Sequence, residues 1–201
     1  MNKYSIVINR SIDDAPIVEI ANNTWNYPYA PRMTAKMTYI TDKGIVVRLE
    51  CFEKEPFTRY TKPYDPVYTD SCMECFFNLC PEKSKDYINL ETNSNGAYIF
   101  SFGPGRGDVR THFGPKLGIT PEVKITKTDA SWIADIVIGN DALCAVYGDF
   151  EVKSGHTFIA NFYKCGQDGD NPHFITWNKV ESSKPDFHRP EFFGKLIIGE
   201  V

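Results

Sequence analysis

The chain has 201 residues and a formal net charge of −4, with both signs mixed along it, so it carries no basic footprint for nucleic acid or an acidic membrane. Its length suits one sizeable core and is short for two full domains, so residues 1–201 are expected to form a single domain. No run approaches the roughly 18 apolar residues that span a bilayer, while 14 Gly, 13 Pro and 14% aromatic residues favour an all-β fold with frequent turns.

In chain order, Met1 to Arg10 contains only the short apolar run Ile6 to Ile8 and does not read as a secretory signal. The expected location is cytoplasmic if the chain is complete, and extracellular if an upstream signal was removed. Ile17 to Arg32 is broken by Asn22-Asn-Thr-Trp25 and by proline junctions, which exclude a long helix or an uninterrupted strand. Residues 1–34 are therefore expected as an N-terminal segment packed on the sheets. Met33 to Tyr39 and Gly44 to Cys51 predict a hairpin around Thr41-Asp-Lys-Gly44, with Ile45, Val47, Leu49 and Cys51 on one face. Phe52 to Thr69 reads as a proline-rich loop.

The stretch Asp65 to Leu79 carries the most information. Met73, Cys75, Phe77 and Leu79 alternate with Cys72, Glu74, Phe76 and Asn78, and a period of two predicts a strand with one buried face and Glu74 on the other. Asp86 to Asn93 repeats the pattern, with Ile88 and Leu90 on one face and Tyr87, Asn89, Glu91 and Asn93 on the opposite one. Pairing of these strands would line up hydrogen-bonding groups beside aromatic rings, a surface suited to a hydroxyl-rich ligand. Cys72 and Cys75 point to opposite faces of such a strand and no second Cys-x-x-Cys follows, so they read as small buried side chains and no metal site is predicted.

Residues 96–102 predict a further strand after the turn Ser94-Asn-Gly96. Gly103 to Gly118, with five glycines and two prolines, reads as a long surface loop; its Arg106-Gly-Asp108 and Gly103-Pro-Gly-Arg-Gly107 matches are too short, and lack the strand-to-helix context, to carry function. Strands are predicted at 121–127, 131–138 and 156–164, a short helix at Asp141 to Tyr147, and closing strands around His173 to Trp177 and Lys195 to Ile198. Ten or eleven short strands make a two-sheet antiparallel β-sandwich, jelly-roll-like, with long connecting loops. The four histidines have no metal-ligand spacing.

Three segments carry a resemblance. Asp70-Ser-Cys-Met-Glu-Cys-Phe-Phe77, then Asn89-Leu-Glu-Thr-Asn93 with Gly96, then Phe187-His-Arg-Pro-Glu-Phe-Phe-Gly-Lys-Leu196 resemble, in the same order, motifs of the family 9 carbohydrate-binding modules and their relatives. The resemblance implies a saccharide held between two aromatic rings, its hydroxyls read by Glu74, Asn89 and Glu91. Phe187 stands for the ring of the closing motif, with Arg189 beside it, and Tyr68 or Trp177 for the ring opposite. It also implies structural calcium, for which Asp65, Asp70, Asp168 and Asp170 are hard oxygen donors, although they form no loop with ligands at alternate positions. No cofactor is otherwise expected.

The function so implied is non-catalytic binding of a mono- or oligosaccharide, by a free-standing domain or an accessory to glycoside hydrolysis. Two alternatives stand beside it. Glu74 and Glu91, if adjacent, could serve as the carboxylate pair of a glycoside hydrolase. Or the sandwich could be structural, with no sugar ligand and with the acids paired to Arg48, Arg110 or Arg189 on a solvated face.

Overall fold

The computed structural model of the protein describes residues 1–199. Its strands are β1 (Lys3–Ile8), β2 (Val18–Ile20), β3 (Met33–Ile40), β4 (Gly44–Cys51), β5 (Cys72–Asn78), β6 (Tyr87–Asn93), β7 (Tyr98–Gly103), β8 (Thr111–His112), β9 (Glu122–Lys127), β10 (Trp132–Gly139), β11 (Thr157–Gly166), β12 (His173–Thr176) and β13 (Gly194–Ile198). Two short helices, α1 (Phe113–Leu117) and α2 (Asn140–Tyr147), complete the set.

One sheet runs β8-β7-β6-β5-β11-β13 and the other β3-β4-β10-β9, with β12 added beside β11 and β2 beside β3. Strand β1 joins them: Lys3 to Ile6 run parallel to β13, and Val7 and Ile8 pair in parallel with β3. The N-terminal segment is thus not merely laid on the sandwich, because its first strand is built into both sheets. Tyr4 and Ile6 alternate inward and are buried, and the Tyr4 hydroxyl accepts from Met37 N at 3.1 Å, which ties that crossing to the core.

Between the sheets lies the larger apolar layer. Met73, Cys75, Phe77, Leu79, Ile88 and Leu90 meet Ile45, Val47, Leu49, Ala134, Ile136 and Ile138 there, as the alternation predicts.

The outer face of β5 departs from the one-sided expectation, since all seven of its residues are buried. Cys72, Phe76, Tyr87, Tyr163, Cys165, Phe187 and Phe193 form a second apolar cluster on that face, beneath the loop before β5 and the closing segment. Burying an aromatic such as Phe76 there contributes about 2–3 kcal/mol, which explains why these loops stay down on the sheet.

Gly103 to Gly118 is likewise more than a surface loop. Gly103 has φ +154°, and a Cβ there would lie 2.4 Å from the Val109 carbonyl oxygen, so only glycine lets the chain fold back. Strand β8 then pairs with β7, and Phe113 enters the core to stack on Phe100 at 4.1 Å between centroids. The returning chain also places Arg106 and Arg110 over the outer face of the first sheet. No helix among the described residues is long and apolar enough to cross a membrane.

Candidate functional site

A cleft of about 610 Å³ opens over the outer face of β5, β6, β7 and β11. Its floor is set by strand register. Glu74 is the direct cross-strand partner of Glu91, and Asn89, two residues along on the same face of β6, lies opposite Phe76. Period-two alternation therefore brings Glu74, Asn89 and Glu91 to one surface, and all three line the cleft.

Local hydrogen bonds orient these groups. Arg110 Nη2 and Ser101 Oγ both donate to Asn89 Oδ1, which turns its amide nitrogen toward Glu91, where Nδ2 donates to Oε1 at 2.7 Å. Cys165 Sγ donates to Glu74 Oε1 at 3.1 Å. Among the described residues, the second oxygen of each carboxyl has no hydrogen-bond partner in the protein, so each is available to a ligand hydroxyl. Burial raises the pKa of Glu74 well above the usual carboxylate range, helped by Cys165 and by the neighbouring Glu91 charge. Burial also pushes Glu91 up to about 7, against the opposing pull of the Asn89 hydrogen bond and the Arg110 charge.

Neither acid sits on a solvated face, and neither makes the ion pairs the structural alternative needs. Arg48 pairs with Asp13 and Asp135 on the other sheet, and Arg189 pairs with Glu191. Arg110 spends its guanidinium on the Asn89 oxygen, on Ser101 and on the carbonyls of Tyr87, Gly103 and Gly105, with its plane 4.4 Å over the Tyr87 ring. It is a strut between β6, β7 and the returning loop.

The aromatic walls come from loops. Tyr68, carried on a 3₁₀ turn at Val67–Thr69, lines the cleft and is 39% exposed, whereas Val67 points into the apolar cluster. Phe187 also lines the cleft; one face of its ring is stacked on Tyr163, with centroids 4.2 Å apart and planes 9° apart, and Tyr163 Oη donates to the Phe187 carbonyl at 3.1 Å. A ring held this way has little orientational freedom left to lose on binding.

Two expected contacts are not brought together with the rest. Trp177 lies in the inter-sheet layer against Tyr4 and Phe162, its ring edge over Gly194, where a Cβ would come within 2.4 Å. It follows the end of β12, and its backbone N donates to the Phe162 carbonyl at 2.9 Å. Arg189 is absent from the cleft lining, because the 3₁₀ turn Pro190–Phe192 swings it outward onto Glu191 and the Phe192 ring.

Other lining residues were not picked out as site groups by sequence. Tyr64, Phe174, Cys165, Arg106 and Asp186 reach the cleft from separate loops and strands, and the only local signal was the aromatic and charged content of those loops. His188 lines it too, sharing a 2.7 Å hydrogen bond with the Tyr87 hydroxyl; burial, with the Arg110 and Arg106 charges, lowers its pKa to about 3 and keeps it neutral.

Of the four candidate calcium donors, Asp65, Asp70 and Asp168 are already engaged by donors of the protein itself. Asp70 is fully buried and accepts from Arg59 N, Tyr60 N, Asn93 Nδ2 and Arg59 Nε, while Arg59 Nη2 reaches Asp168 at 2.7 Å. The guanidinium stands where an ion bridging these carboxylates would have to be. Asp65 accepts from Lys62 N, three residues back in its own turn.

The sequence profile of carbohydrate-binding family 9 matches residues 8–198. No curated protein matches the chain. Among solved structures, a protein of Bacteroides uniformis ATCC 8492, provisionally called carbohydrate-binding, superposes with a TM-score of 0.82 at 21% identity, covering 98% of each chain. A family 9 carbohydrate-binding module of Caldicellulosiruptor kristjanssonii in complex with glucose gives a TM-score of 0.69 at 11% identity, over 100% of this chain and 97% of that one. The module in complex with cellotriose gives 0.67 at 11% identity, over 100% and 95%.

Proposed function

The chain belongs to carbohydrate-binding family 9, and from that premise we propose that the cleft over β5 and β6 binds a saccharide without cleaving it. The observation that carries this is the pairing of a hydrogen-bonding floor with aromatic walls. Glu74 and Glu91 each present a free oxygen beside the fixed Asn89 amide, and Tyr68 and Phe187 line the same cleft. A pyranose has matching surfaces: its C–H face packs on a ring, and its hydroxyl rim needs fixed acceptors and donors. Aromatic burial supplies affinity, and the polar floor selects orientation.

The placement of the acids argues against hydrolysis. Glycosidases flank the scissile bond with their two carboxyl groups. Glu74 and Glu91 are neighbours on adjacent strands and project from one side of one sheet, so any ligand meets both from the same side.

Glucose and cellotriose, the ligands in the neighbouring structures, are the first probes to use. Isothermal titration should give saturable heat with at least one member of a mono- and oligosaccharide panel, and no release of nitrophenol from aryl glycosides. A panel with no binding by calorimetry or thermal shift would overturn the reading, and turnover lost on Glu74→Gln would replace it with the hydrolase alternative.

A further inference from the structure

Beneath the cleft floor, three metal-ligating side chains converge. Cys72 and Glu74 project from the same face of β5, and Cys165 of β11 is the direct cross-strand partner of Cys72. The two sulfurs and a Glu74 oxygen all lie within 4.8 Å of one another, and all three residues are buried. We propose that Cys72, Glu74 and Cys165 form a binding site for a thiophilic divalent cation of the Zn²⁺ type.

The donor set selects the ion. Two sulfurs and one carboxylate suit Zn²⁺ or Cd²⁺ and not Ca²⁺ or Mg²⁺, which take oxygen ligands. Tetrahedral Zn²⁺ with Zn–S of about 2.3 Å and Zn–O of about 2.1 Å sets sulfurs about 3.8 Å apart and sulfur from oxygen about 3.6 Å. Cys165 Sγ already lies 3.1 Å from Glu74 Oε1, so small side-chain rotations open the trio to that spacing. Three ligands on two paired strands are preorganised as one face of a tetrahedron. Glu74 and Cys165 line the cleft, which provides both the entry path and the fourth coordination position. Cys75, three residues on from Cys72, is excluded because it points into the inter-sheet layer.

Glu74 cannot serve an ion and a sugar hydroxyl with the same oxygens, so ion and saccharide should compete; that consequence alone rests on the saccharide reading of the cleft.

The test titrates the full chain, stripped with chelator and kept reduced by a phosphine, with Cd²⁺ and Zn²⁺ in the absence of sugar. The expected result is one Cd²⁺ per chain with a thiolate-to-cadmium charge-transfer band. The band should vanish in the C72S/C165S double variant and persist in Cys144→Ser, which alters an exposed thiol. Affinity should fall by about tenfold or more in Glu74→Gln, as expected for loss of one ligand. Absence of the band in the parent overturns the proposal, as does its survival in the folded double variant. If the double variant fails to fold, undiminished affinity in Glu74→Gln overturns it instead. A final titration adds glucose or cellotriose: weakened Cd²⁺ binding supports sharing of Glu74. Saccharide heat without competition refutes the sharing, and no saccharide heat refutes the binding function, while the metal site stands on its own band in either case.

Discussion

Glu74 and Glu91 face each other across β5 and β6 as direct cross-strand partners, 3% and 5% exposed, and neither has a salt bridge among the described residues. Like charges directly opposite on a sheet destabilise it, and burial without a counter-ion raises the cost of ionising either one. The pair is thus a costly arrangement at the floor of the cleft, and such arrangements concentrate at functional sites.

Because Glu91 titrates near 7 in the fold but near the ordinary carboxylate value when unfolded, the native state holds more protons between roughly pH 4.5 and 7. Stability contributed by the neutral acid is complete below about pH 4.5 and is lost as pH rises through about 7. Denaturant unfolding of Glu91→Gln should remove a fall on the order of 3 kcal/mol over that window. A parent whose pH profile matches that of the variant would contradict the assignment.

Glu74→Gln should weaken saccharide binding by about 1–3 kcal/mol, since the amide replaces one carboxyl oxygen by an NH2 donor and so mismatches a ligand hydroxyl at the floor. Its thermal midpoint should stay level or rise, because a buried ionisable group has been removed. Calorimetry and a thermal melt on the same sample separate the two effects.

Phe187→Ala should lower both affinity and stability. The ring is 8% exposed and stacked on Tyr163, so its deletion leaves a cavity costing about 3 kcal/mol. Tyr68→Ala, at 39% exposure, should lower affinity while leaving the unfolding midpoint nearly unchanged. Equal stability losses in the two variants would show that Tyr68 is a packing residue.

Arg110→Lys keeps the charge but cannot reproduce a planar fork donating to several acceptors. The variant should lose about 1–3 kcal/mol of stability through unpaired carbonyls and weaken sugar binding through the freed Asn89 amide. A wild-type affinity in this variant would remove Arg110 from any part in shaping the floor.

Adding Ca²⁺ to chelator-treated protein should leave the thermal midpoint within about 1 °C, while Arg59→Ala should lower stability by about 1–3 kcal/mol, because the buried Asp70 carboxylate loses its charged partner and keeps only its hydrogen bonds from Arg59 N, Tyr60 N and Asn93 Nδ2. A large calcium-induced rise in the parent would show that the Asp70 region accepts an ion after all.

Much of the fold was legible because alternation is a local property. Met73, Cys75, Phe77, Ile88 and Leu90 announce the inter-sheet face, and the same periodicity places Glu74, Asn89 and Glu91 together on the other. Phe76 and Cys72, on the face read as open, were the overlooked sign that this side is also covered. Trp177 was ambiguous because an aromatic beside a strand packs inward or outward according to a neighbour, here Gly194, that lies far along the chain.

The chain's own order of residues thus determined the strands, their faces and the identity of the floor, since each depends on contacts between residues two apart or on one turn. Only the tertiary structure decided that β1 joins both sheets, that Arg110 braces Asn89, that Phe187 stacks on Tyr163, and that Cys165 meets Cys72 and Glu74. Those relations depend on register and loop closure between distant segments, whose energies are set by packing and burial in three dimensions and leave no periodic mark in the sequence.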